Sequence, residues 1–118
     1  MNDKTILKQL LDWSQHMVLA VTLEDNTPWV VPLHIKARDG HLTFEWDSRP
    51  ETVHSLAIAS NPNVALSIFS LEKDLGFYAK ARVVKLSDEL NENSQVRYRA
   101  TVSECWLNES HRKRKISG

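Results

Sequence analysis

The sequence predicts a mostly β, α+β chain: a small antiparallel barrel with helices at its ends. Three observations lead there. Short β-prone runs are separated by turn signals rather than by long helices. An Asp39-Gly40 pair joins two of them, which suits a hairpin and rules out a parallel crossover at that point. One helical stretch is inserted after the third run instead of alternating with every strand.

The elements follow in order. Residues 4–13 place Ile6, Leu7, Leu10, Leu11 and Trp13 on one side of a helix, with Asn2 or Asp3 as N-cap. From Met17 the rhythm changes to a strand carrying Val18, Ala20 and Val21, closed by the turn cluster Glu24-Asp25-Asn26. Residues 29–36 form a second strand and residues 41–46 a third, so the three read as a meander. Pro32 has no N–H to give a ladder and belongs at an edge or a bulge, where a strand can open to a ligand.

Pro50 begins a helix that Ser48 can cap, with Val53, Leu56, Ala57 and Ile58 at helical spacing, and Asn61-Pro62 stops it. Residues 64–69 are a nearly continuous apolar strand, and residues 76–86 are a further strand with Phe77, Ala79, Ala81 and Val83 on one face. Ser87-Asp88 is read as the cap of a polar helix over residues 89–100. Residues 105–118, with the basic run from His111 to Lys115, are read as a solvated tail holding at most one short strand.

Composition narrows the function classes. The 118 residues suit a single domain. Fifteen basic residues against fifteen acidic ones give no net charge, which argues against a general nucleic-acid binder and leaves self-association unopposed. A single cysteine, Cys105, permits no intrachain disulfide and suits a reducing compartment. No secretory signal and no apolar stretch near the ~20 residues of a membrane span is visible, so a cytoplasmic protein without a membrane partner is expected. Three glycines are too few for a dinucleotide fingerprint or a phosphate loop. One cysteine and five histidines without ligand spacing give no metal site, and Cys105 reads as a plain thiol.

Five pieces carry a resemblance: Val30-Val31-Pro32-Leu33-His34, Asp39-Gly40, Thr52-x-His54, Asn61-Pro62-Asn63-Val64-Ala65-Leu66 and Ala79-Lys80-Ala81-Arg82-Val83-Val84. In this order, within residues 17–86, they resemble the pyridoxamine 5'-phosphate oxidase-like family of FMN-binding split barrels. The resemblance implies a homodimer with each FMN site built from both chains. It implies that Thr52 and His54 hold the phosphate at a helix N-terminus, where hydroxyl, cation and amides meet. It places the ring along Pro32, Leu33 and His34 of one strand and Trp46, Asp47 and Ser48 of another, with Trp46 as a stacking face and Ser48 for ring polar atoms. If the chain is an enzyme, the flavin does the chemistry and no residue need act as acid or base; His34, if it points inward, is the one catalytic nomination, as a proton donor to product. Groups near Lys80 or Arg82 of the second chain would complete the phosphate grip.

The pattern also departs from that family. Arginine or lysine is frequent in its second strand and lysine at its helix start; here Trp29, His34 and His54 stand there. Histidine is only partly charged near neutral pH, so a weaker grip that fades as pH rises is expected. The oxidases proper also extend further, into a C-terminal substrate segment that Glu104-x-Trp106 and His111-Arg112 echo only briefly, so pyridoxamine phosphate is not the expected substrate. The resulting reading is an FMN-dependent oxidoreductase that moves a hydride to or from a small organic molecule. Its alternatives are a non-catalytic flavin or haem-like ligand carrier or sensor, and a dimeric scaffold with a vacated pocket.

Overall fold

The computed structural model describes residues 2–117. In chain order its elements are α1 (Asp3–Trp13), β1 (His16–Thr22), β2 (Pro28–His34), β3 (Ala37–Asp39), β4 (Thr43–Ser48), α2 (Val53–Ser60), β5 (Asn63–Ser70), β6 (Leu75–Lys85), β7 (Val96–Glu109) and β8 (Arg112–Ile116). Among the described residues the eight antiparallel strands share one sheet in the order β2-β1-β5-β6-β7-β4-β3, with β8 alongside β7.

The two ends of the sheet, β2 and β3, are successive pieces of one chain run. At the junction the Ile35 N–H donates to the Gln15 carbonyl and the Lys36 N–H to the Glu45 carbonyl, each at 2.8 Å. The backbone thus hands over from β1 to β4 within two residues, and the sheet curls round on itself as a split barrel. The expected meander is corrected here. Asp39-Gly40 does make a hairpin, with Gly40 at a φ of +56°, but it joins the three-residue β3 to β4, and β2 pairs with β1. Pro32 sits on the edge strand β2, opposite Val18, one of the two places the sequence reserved for it.

Alternation of period two fills the interior. Met17, Leu19, Phe44, Trp46, Ile68, Phe77 and Leu107 point inward and are almost wholly buried. Asn2 caps α1, its Oδ1 accepting from the Thr5 N–H at 2.8 Å, and α1 packs Ile6, Leu7, Leu10 and Leu11 into the same core. Trp13, expected on that face, is 59% exposed. As the last residue of the helix it lies outside the core, where Lys73 sits 5.4 Å from its ring.

The third helix predicted over residues 89–100 does not form. Residues 86–95 are a turn-rich connection in which the Asn91 side chain accepts from the Asn93 and Gln95 N–H groups at 2.8 and 3.0 Å. Those local bonds compete with helix formation, while Val96, Tyr98 and Ala100 alternate inward and recruit the segment to β7. Nor is the basic end a free tail. It forms β8, where Arg114 bonds Asp3 and Glu109, Lys115 bonds Glu104, and Ile116 reaches the core beside Cys105. No helix among the described residues is long and apolar enough to cross a membrane.

Trp46 is 1% exposed at the centre of this packing, stacked on Tyr98 at 5.8 Å between ring centroids. Trp46→Ala should therefore destabilise the fold by about 3–5 kcal/mol, seen as a large fall in the urea midpoint. A fall under about 1 kcal/mol, the range of surface changes, would contradict this core assignment.

Candidate functional site

The β4–α2 corner gathers three of the sequence-predicted residues. Thr52 is the N-cap of α2: its hydroxyl accepts from the Ser55 N–H at 3.2 Å and lies 3.1 Å from the Arg49 carbonyl and 2.7 Å from the Ser55 hydroxyl. His54, in the first turn, points inward. Its Nε2 lies 2.9 Å from the Ser48 hydroxyl and 3.5 Å from that of Thr52, and both His54 and Ser48 are buried. Burial pushes the imidazole below its ordinary value near 6.5, so at neutral pH it is an uncharged hydrogen-bonding group. It can orient the Ser48 and Thr52 hydroxyls but supplies no positive charge to an anion. The helix begins at Val53 under the Thr52 cap, not at Pro50 under Ser48, which ends β4. The exposed cation of this corner is Arg49, three residues before that cap, which sequence reasoning passed over.

Leu33 and Trp46 face the core and present no surface to a ring. The inward phase of β2 and β4 decides this: Leu33 pairs with Met17, and Trp46 with Tyr98, on the buried side. Asp47 faces outward but is held by the Arg97 guanidinium. That ion pair belongs to a ladder across β4 and β7, in which Arg97 and Arg99 grip Glu45 at 3.1 and 2.9 Å. Burial raises the Glu45 carboxyl, but the two guanidinium hydrogen bonds outweigh it and hold the group below its ordinary value. Pro32 and His34 are exposed on the outer face of β2, with the His34 ring edge-on to His16 at 5.2 Å.

A groove on the outer wall completes the picture. Register fixes its floor: Ala20 lies opposite Val30 and Ala65, and Val18 opposite Pro32 and Ser67. Tyr78 and Trp106, paired across β6 and β7, wall one side. Lys80 and Lys113 stand 5.8 and 5.9 Å from the Trp106 ring centre. The cavity measures about 560 Å³, within the usual range for small-molecule sites, and a second groove of about 420 Å³ adjoins it through Ala20, Ala65 and Lys80. Gly76 shapes the wall, because a Cβ there would come within 2.9 Å of the Tyr78 hydroxyl. An apolar floor, an aromatic wall and an ammonium rim suit a flat anionic ligand. The sequence reading omitted Trp106 and Tyr78 from the site because their pairing arises only from the β6–β7 register.

The lowered His54 value has a measurable consequence. The unfolded chain binds this proton more readily than the folded one, so stability is full above about pH 6.5 and falls as pH drops below it. The thermal midpoint should decline between pH 7 and pH 5, and His54→Gln should remove part of that decline. An equal decline in the variant would refute the buried neutral imidazole.

No family model matches the sequence, and no curated protein sequence does. Solved structures do match in fold. A Clostridium acetobutylicum protein related to general stress protein 26 of B. subtilis, of the pyridoxinephosphate oxidase family, superposes with a TM-score of 0.83 at 12% identity, over 98% of this chain and 96% of that one. An F420 reductase matches with a TM-score of 0.69 at 17% identity, over 83% of this chain and 94% of that one. A haem-binding protein from Mycobacterium smegmatis matches with a TM-score of 0.82 at 10% identity, over 99% of this chain but 58% of that longer one. The chain shares the split-barrel fold of these structures, one of which is described as a member of the pyridoxinephosphate oxidase family.

Proposed function

We propose that this chain is a homodimeric FMN-binding oxidoreductase acting on a small organic molecule. The observation that supports it most is the outer-wall groove, whose apolar floor, Trp106 and Tyr78 wall and Lys80 and Lys113 rim suit a flat isoalloxazine ring and the negative charge it takes on when reduced. The fold shared with a pyridoxinephosphate oxidase family structure and an F420 reductase points to the same ligand class.

The residues fit the ring better than the phosphate. With His54 neutral and turned in, the phosphate falls to Arg49, the Thr52 hydroxyl and the first-turn amides of α2. The groove is open, and Val30, Phe69 and Tyr78 leave apolar surface on the same wall. A second copy of the chain covers that wall, excludes water from the groove and brings the β4–α2 corner of one protomer to the groove of its partner. Bound flavin supplies the hydride chemistry. Val18, Ala20 and Val30 would keep its surroundings dry, while Lys80 and Lys113 would offset the negative charge of a reduced ring. His34 lies past the groove's lining, against His16, and the hydride step needs no acid or base from it.

Absorbance of the protein with excess FMN, after desalting, should retain flavin bands, and a nicotinamide donor should bleach them. A flat visible spectrum would sink the flavin reading, and a retained but unreducible flavin would leave a carrier. Comparison with riboflavin separates the two halves of the site. Arg49→Ala should weaken FMN about tenfold, or roughly 1.4 kcal/mol, and leave riboflavin unchanged; Trp106→Ala should weaken both. Equal losses for both ligands in Arg49→Ala would contradict the phosphate assignment. Val30→Asp should shift the sedimenting species from dimer to monomer, and a wild-type monomer would refute the shared site.

A further inference from the structure

His16 and His34 have no ligand spacing in sequence, yet β1 and β2 set them directly opposite one another. Their side chains emerge on the outer face, one cross-strand step beyond Val18 and Pro32, and both are exposed. Imidazole is the commonest protein ligand for late divalent transition metals. The register therefore creates a pair that the sequence scan did not contain.

We infer that His16 and His34 together chelate a divalent metal ion of the zinc class, with water at the remaining positions. The ring spacing carries this. A zinc–nitrogen bond of about 2.1 Å, plus about 1.2 Å from nitrogen to ring centre, places two tetrahedrally arranged imidazole centroids about 5 Å apart. The observed separation is 5.2 Å. The rings now meet at 77°, edge-on, so one of them turns about χ2 to bring its lone pair to the shared point. That torsion is broad for histidine, and exposure leaves room for it.

The backbone does the rest of the positioning. The ladder from Thr22–Pro28 to His16–His34 holds one side of the pair, and the Ile35 N–H bond to the Gln15 carbonyl holds the other. The Cα positions are thus fixed before metal arrives, so the second imidazole binds with little further loss of entropy. Among the described residues no group of three or more His, Cys, Asp and Glu side chains has metal-holding geometry. The site is therefore a two-ligand one, outside the lining of the groove and open to solvent in the single chain, unlike the closed four-ligand sites that stabilise small folds.

Zinc chloride titration tests it, followed by equilibrium dialysis and by the imidazole proton resonances of the intact protein. The expected result is one zinc ion per chain, with the His16 and His34 resonances shifting together. His16→Ala and His34→Ala should each weaken binding at least about tenfold, and the double variant should be little worse than either, as a chelate requires. Circular dichroism of these exposed-site variants confirms that they stay folded. Undiminished binding in the double variant, additive losses in the singles, or no zinc uptake by the wild type each overturns the chelate.

Discussion

Closure of the sheet through one short run is the constraint on which the remaining structure depends. Residues 28–39 serve β1 at one end and β4 at the other, with only Ile35 and Lys36 between. Once that hand-over is made, the phase of β1, β2, β3 and β4 is fixed, because a one-residue slip would turn every inward side chain outward. Met17, Leu33, Phe44 and Trp46 are then committed to the core. Val18, Val30, Pro32 and the two histidines are committed to the outer wall.

The outer surface divides electrically along the same lines. On the β4–β7 side, Glu45 and Asp47 neutralise Arg97 and Arg99 in a half-buried ladder, so that wall offers an incoming anion little free charge. On the β1–β5–β6 side, the floor is uncharged and lysines line the rim. Lys80 is shared weakly with Glu104 at 3.9 Å, since Glu104 has a closer partner in Lys115 at 2.9 Å. The surface of a chain with no net charge thus still carries a wall with an uncharged floor and a lysine rim. His54 obeys the opposite logic. Desolvation removes its charge, and the Ser48 hydroxyl satisfies its ring nitrogen.

The sequence made the barrel legible because its signals are local. Asp39-Gly40, Asn61-Pro62, the Asn2 cap and the period-two runs each act within a few residues, and each formed the turn, stop, cap or strand it indicates. The third helix misled because residues 89–100 are polar and capped at Ser87, whereas Asn91 spends its side chain on a turn and β7 draws in Val96, Tyr98 and Ala100. The basic end misled for a related reason: pairing with β7 and the Arg114–Asp3 contact are long-range. The candidate site was less legible still. Trp106 with Tyr78, and His16 with His34, become neighbours only through antiparallel register, and the inward turn of His54 depends on the depth of the β4–α2 corner.

Binding and self-association are one physical problem in a barrel this small. Phe44, Trp46, Phe77 and Leu107 are at most 1% exposed and fill the interior, as expected where few strands enclose a narrow lumen. A ligand therefore has to lie outside. The outside of one barrel offers a single wall, and a flat ring laid on it keeps one face in water. Shielding such a ring from water requires a second surface of matching shape, supplied by substrate or by protein. The apolar outer row of β2, β1, β5 and β6 is a surface that favours such cover, and the proposed two-fold dimer would supply it from an identical chain. On the proposed reading, the exposed Val30, Phe69 and Tyr78 would be the surface that a ligand outside the filled barrel leaves uncovered and that a second chain would close.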